Sequence, residues 1–191
     1  MRALLLVIHR WLGIVAAVVL VAVSLTGAIL VYVRIPSVTD LHTGLVLGKP
    51  GLWLVNTATV AAWLLVAGGV VLWWRRKIVT VDASKGAWRL LFDVHHALGI
   101  IGGGLMLVIA LTGTGLMMTE DIGARLGLAV DDPDYPTRAE VVTRRLIHVA
   151  HTGGSISPVL DALWALGSLA VVVQALSGFW VWWKPGRGPD G

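Results

Sequence analysis

The residues in this chain best suited to chemistry are six histidines: His9, His42, His95, His96, His148 and His151. Cysteine is absent, which removes disulfides, thiolate metal sites, Cys-ligated iron–sulfur clusters and thioether-attached cofactors. No Ser-His-Asp arrangement, phosphate-cradling loop or paired intramembrane carboxylate is present, so hydrolysis and phosphoryl transfer have no support. Nucleic acid is not an expected partner. Any bound group must be held by imidazole, oxygen ligands or packing.

The histidines are not scattered. Ile8-His9-Arg10-Trp11-Leu12-Gly13-Ile14 resembles Val94-His95-His96-Ala97-Leu98-Gly99-Ile100 at an offset of 86 residues, and the same offset lays Leu25-Thr26-Gly27 on Leu111-Thr112-Gly113. His42-Thr43-Gly44 matches His151-Thr152-Gly153 at an offset of 109, which also lays Gly69 on Gly178 and Trp73-Trp74 on Trp182-Trp183. Ordered, non-aliphatic matches of this kind mark an internal repeat. They pair His9 with His95 and His42 with His151.

Two neutral imidazoles facing each other across a repeat axis supply what a six-coordinate b-type haem iron requires. The four paired histidines are therefore the expected haem-iron ligands, with two haems as the expected cofactors. Small residues follow both inner histidines at helical spacing, beginning with Gly13 after His9 and Gly99 after His95. Such a strip leaves room for a flat macrocycle, and equally for close helix packing. His96 aligns with Arg10, and His148 has no repeat partner; both are expected to support the ligands rather than act as ligands. His148 stands three residues before His151 and is its natural substitute. Arg10, Arg89, Arg34 and Arg144 are candidates to neutralise propionates, although basic residues at membrane edges commonly face water and headgroups.

The elements that must position these residues are membrane helices. The chain is 57% hydrophobic and only 14% charged, with a mean hydropathy of +0.82. Apolar stretches run over Leu12–Val33, Leu52–Trp74, Leu98–Met118 and Leu160–Trp183, each close to or above the twenty or so residues that cross a bilayer. The first is too long for a secretory signal and is expected to be a retained anchor. The expected fold is all-α: a polytopic membrane protein whose four-helix transmembrane bundle is made of two tandem parallel helix-pair repeats. Residues 1–191 form one transmembrane domain. Repeat one covers 1–77, with helices at about 3–33 and 51–75; repeat two covers 88–184, with helices at about 89–119 and 158–183. Residues 34–51 and 119–158 are outer loops. As a single helix, the segment from His42 to Trp74 would overshoot the bilayer. Gly44, Gly48, Pro50 and Gly51 are therefore expected to break it and fold His42 back.

Nine basic residues fall on one side of this arrangement: Arg2, Arg10, Arg75, Arg76, Lys77, Lys85, Arg89, Lys184 and Arg187. The other side has Arg34, Lys49, Arg125, Arg138, Arg144 and Arg145. That bias places both termini in the cytoplasm, and the two Trp-Trp pairs anchor the same face. Asp131, Asp132 and Asp134 are expected in a solvated turn of the outer loop.

At His9 to Gly13, Leu25 to Gly27, Leu41 to Gly44 and Gly69 to Arg75, the sequence resembles the PepSY-associated transmembrane family. That family includes iron-regulated membrane proteins and haem-containing inner-membrane reductases of ferric siderophores. The resemblance covers all four helices in order. It implies bis-histidine b haems and electron transfer across a bacterial inner membrane, and it points to His9, His95, His42 and His151. Larger members carry periplasmic domains between helices, whereas the outer loops here are too short for them. A ferric-chelate reductase-like di-haem cytochrome is thus expected, taking electrons from a cytoplasmic or quinol donor. Its acceptor would be a periplasmic ferric chelate or redox protein, and assembly into a homo- or hetero-oligomer is compatible with its size. The competing expectations are a metal-ion permease using the histidines as transient ligands, and an accessory membrane subunit. The lack of any Asp or Glu within the helical cores argues against the permease.

Overall fold

A computed structural model describes residues 2–74, 81–117, 138–153 and 157–183, and these are all helical apart from short connections. Among the described residues, three helices are long and apolar enough to cross a membrane: α1 (Arg2–Leu30), α3 (Lys49–Trp74) and α7 (Pro158–Trp183). At 1.5 Å per residue they span roughly 39–44 Å, more than a hydrocarbon core of about 30 Å. A fourth candidate span is a bent pair, α4 (Ala87–Ile101) and α5 (Gly103–Met117).

That pair departs from the single helix expected at 89–119. It bends by 60° at Gly102-Gly103-Gly104, where the lack of side chains removes both helix propensity and steric resistance to bending. The backbone hydrogen bonds Gly102 N to Leu98 O (2.8 Å) and Met106 N to Gly102 O (2.9 Å) carry the chain through the bend.

Two helices outside the candidate spans hold His42 and His151, the pair expected on the outer side. Pro36 begins α2 (Pro36–Thr43), where its missing N–H costs nothing. Gly44 ends α2 in the left-handed region at φ 83°, and Gly48, at φ 64°, ends a 3₁₀ turn over Leu45–Leu47. These two glycines turn the chain back before α3 starts, whereas Pro50 and Gly51, expected from the sequence to break the helix as well, lie in the first turn of α3. A Cβ on Gly44 would collide with the Gly51 carbonyl, so glycine is required there on both counts. The segment 119–158, expected to be a loop, contains α6 (Arg138–Thr152), a helix not anticipated there; it also ends at a left-handed glycine, Gly153, φ 75°.

Helix α1 packs on α3 and α7, α3 also meets α5, and α7 also meets α4. Small side chains make these approaches possible: Ala16, Ala58, Ala61, Ala165 and Ser177 are all buried. In lipid, close van der Waals packing replaces the hydrophobic effect as the force between helices. The outward faces stay apolar, with Val15 and Val18 76% and 78% exposed.

The basic residues Arg75, Arg76, Lys77, Lys184 and Arg187 lie outside the described residues, as do Arg125 and the acidic Asp131, Asp132 and Asp134.

Candidate functional site

One cavity of about 1180 Å³ runs between the helices, and all six histidines line it. Arg2, Arg10, Arg34 and Arg145 also reach its wall, and no Asp or Glu lines it among the described residues. The wall is otherwise mostly apolar, with glycines at Gly13, Gly27, Gly69, Gly99, Gly113 and Gly178.

The outer pair is the better defined. His42 on α2 and His151 on α6 face each other with ring centroids 6.0 Å apart and planes at 51°. Each ring is oriented by a neighbouring helix. His42 Nδ1 is 2.9 Å from Val23 O and 3.2 Å from Thr26 Oγ1 on α1. His151 Nδ1 is 3.0 Å from Ile109 O and 3.2 Å from Thr112 Oγ1 on α5. A carbonyl can only accept, so Nδ1 carries the proton in both rings and each Nε2 keeps its lone pair. Among the described residues neither Nε2 has a hydrogen-bond partner.

This tautomer, donating to a carbonyl while presenting a free Nε2, is the usual state of a metal-bound histidine. With centroids 6.0 Å apart on the wall of one cavity, His42 and His151 are the residues that could together hold a metal-centred cofactor. Burial lowers the pKa of His42. Burial first, and then the adjacent His42, pushes His151 down to about 4. Both rings are therefore held neutral, the form that coordinates.

Glycine lets these rings lie against a helix. A Cβ on Gly27 would stand 3.1 Å from His42 Cε1, and one on Gly113 would stand 2.9 Å from His151 Cε1. The sequence repeat pairs both glycines and both threonines without revealing that they touch the histidines.

At the other end, His95 on α4 lies against α7. Its Nδ1 is 3.1 Å from Gln174 O and 3.1 Å from Ser177 Oγ, and a Cβ on Gly178 would meet its Cε1 at 2.9 Å. The Gln174 amide donates to His95 Nε2 at 3.3 Å, so this ring is tautomerically matched to the outer pair, but its lone pair is engaged. Gln174 also crowds Gly99, where a Cβ would stand 2.9 Å from the amide nitrogen. His9 on α1 lies against α3, where a Cβ on either Gly68 or Gly69 would stand 3.5 Å from its ring. The same end holds Trp11 against Trp182 at 6.2 Å and Arg10 over the Trp182 ring at 5.9 Å.

The supporting candidates separate. His96 and His148 line the cavity, His96 with its ring 6.0 Å from Phe92. Gly13 lines it too, against Leu65 of α3. Arg89 instead pairs with Asp93 at 3.0 Å. Asp93 is only 3% exposed, so one acid does sit within a helix core, neutralised by a base one turn earlier. Arg145, not Arg144, reaches the cavity wall. Gln174 and Ser177 were not identified from sequence; a lone polar residue in an apolar run was their only signal.

A model of the PepSY-associated TM region matches residues 35–143, more than half of the chain. The chain belongs to the PepSY-associated TM family. No curated protein and no solved structure matches it. The PepSY-associated region takes in His42, His95 and His96, one member of each histidine pair, while His9, His148 and His151 lie beyond its ends.

Proposed function

We propose that this chain is a b-type membrane cytochrome with two haems that moves electrons from the cytoplasmic to the periplasmic face of a bacterial inner membrane. The observation that carries this reading is the outer pair: two neutral imidazoles 6.0 Å apart, each with Nδ1 bonded to a backbone carbonyl. No group of three or more His, Cys, Asp and Glu that could hold a bare metal ion occurs among the described residues. Two opposed imidazoles suit a cofactor that supplies the other four positions itself, as a b-type haem does.

His42 and His151 would hold the outer haem, and His9 and His95 the inner one. The haem supplies reversible one-electron chemistry when bound. The chain's part is to orient the imidazoles, exclude water and balance charge. Gly27, Gly113 and Gly178 let rings and helix backbone approach closely, and Gly13 and Gly99 line the cavity on the helices that carry the inner pair. Arg2 and Arg10 near one end and Arg34 and Arg145 near the other are suited to anionic carboxylate edges. The contacts of α1, α3, α5 and α7, with α4 against α7, fit a four-helix bundle of two parallel repeats. The matched bonds of His42 and His151 support the same symmetry. Both termini would lie in the cytoplasm. The donor would be a reduced flavin, a flavoprotein or quinol, and the acceptor a ferric chelate or redox protein.

A metal-ion permease is less well supported, because divalent cations favour carboxylate-bearing paths and none reaches this cavity among the described residues. The test is vectorial electron transfer. Proteoliposomes containing a trapped ferric chelate and ferrous indicator are exposed to external dithionite. Ferrous iron should appear inside much faster than in protein-free vesicles, and an equal rate would refute the reading.

A further inference from the structure

Three of the four paired histidines are held by one device, and the fourth lacks it. In each of the three, Nδ1 meets a helix carbonyl and a hydroxyl three residues further on: Val23 and Thr26, Ile109 and Thr112, Gln174 and Ser177. The hydroxyl is itself anchored, since Thr26, Thr112 and Ser177 each donate back to a carbonyl of their own helix. The offset of 109 residues that relates Gly178 to Gly69 relates Gln174 to Leu65 and Ser177 to Gly68. At the fourth position the hydroxyl is therefore missing. His9 Nδ1 is buried and has no hydrogen-bond partner among the described residues.

We propose that His9 is the exchangeable ligand of the inner pair, so that the inner site binds a small neutral diatomic ligand on the His9 side while His95 stays fixed. This rests on the di-haem reading. A ligating imidazole whose second nitrogen is bonded is fixed in orientation and made more basic, and loss of that partner typically weakens metal binding 10- to 100-fold. His95 has the partner twice over, in Gln174 O and Ser177 Oγ, and the Gln174 amide, 3.3 Å from its Nε2, would give up that nitrogen when the haem binds. His9 has none among the described residues, and its ring lies against Gly68 and Gly69, which carry no side chain to bond it. In the exchange the iron–His9 Nε2 bond breaks, a bond from iron to the incoming ligand forms, and no electron is transferred.

The geometry provides a direct repair. A Cβ on Gly68 would stand 3.5 Å from His9 Nδ1 and 3.8 Å from Leu5 Cδ1, both ordinary contacts. Gly68→Ser thus places a hydroxyl where Ser177 serves His95, and Gly68→Ala adds the same bulk without it. Carbon monoxide is titrated into the dithionite-reduced, haem-loaded, full-length protein while the Soret and α bands are recorded. The expected result is a response from one of two haems, weakened about tenfold or more by Gly68→Ser and little changed by Gly68→Ala. Ser177→Ala tests the other side: it should reduce the difference between the two ligands and loosen haem retention at the inner site. Carbon monoxide binding at both haems or at neither, or equally in the Ser and Ala variants, overturns the proposal while leaving two haems in place. A preparation without any haem band overturns the di-haem reading and this inference with it.

Discussion

Replacing Gly113 by alanine isolates the closest approach in the outer site. The added methyl would stand 2.9 Å from His151 Cε1 and 3.4 Å from its Nδ1, well inside ordinary carbon–carbon contact at about 3.5–4.0 Å. The ring has to move by several tenths of an ångström, and its 3.0 Å bond to Ile109 O and its 6.0 Å separation from His42 both depend on where it sits. Overpacking of this kind costs about 1–3 kcal/mol, equivalent to roughly a 5- to 150-fold loss of haem affinity at that pair. Gly69→Ala is the internal control, because its methyl would meet His9 Cε1 at 3.5 Å, an ordinary contact. The assay is haem per polypeptide after purification, followed by transfer of haem to excess apomyoglobin. Gly113→Ala should lose one haem or release it faster, and Gly69→Ala should resemble the parent. Full retention in Gly113→Ala, or the reverse order of the two variants, would refute the packing argument.

Further outcomes follow from the same contacts. Gly44→Ala should abolish the outer haem and lower yield, because it combines a left-handed backbone with a collision against Gly51; haem count and thermal melting check this. Thr112→Val keeps the Ile109 carbonyl but removes the hydroxyl 3.2 Å from His151. It should weaken outer-haem retention by about 2- to 12-fold, the worth of one hydrogen bond of 0.5–1.5 kcal/mol. Asp93→Ala leaves Arg89 without its partner and Asp82 N without an acceptor. A loss of about 3–5 kcal/mol is expected for a broken buried pair, read as a lower melting temperature in detergent. Trp164→Phe removes the 3.0 Å bond to Ala150 O that ties α7 to α6, and should cost about 1 kcal/mol with faster hydrogen exchange in α6.

Much of the site was legible because its parts are not aliphatic. Gly44 and Gly153 stand out in the His-Thr-Gly matches because the chain needs a left-handed residue to end α2 and α6. Thr26-Gly27 and Thr112-Gly113 stand out because one residue bonds a histidine and the next makes room for its ring. Their contact with the histidines could not be read, because pairing between α1 and α2 or α5 and α6 is a matter of how the helices pack. Hydropathy marked the apolar run of α4 and α5 but carries no directional information, so the 60° bend at the three glycines escaped it. Helix α6 was read as loop because its polar face breaks the apolar run, leaving amphipathic spacing as its only sign. Asp93 escaped notice as a core residue because its charge is cancelled by Arg89, a partner visible only once the helix is built.

The central claim is that the paired histidines hold haem. Its most direct test is the pyridine haemochrome of protein purified after expression with ample haem, together with oxidised and dithionite-reduced spectra. A b-type reduced α-band and two haems per chain are predicted, falling to one when either His42 or His151 is replaced by alanine. Protein that carries no haem, or whose haem content is unchanged by those substitutions, would contradict the claim.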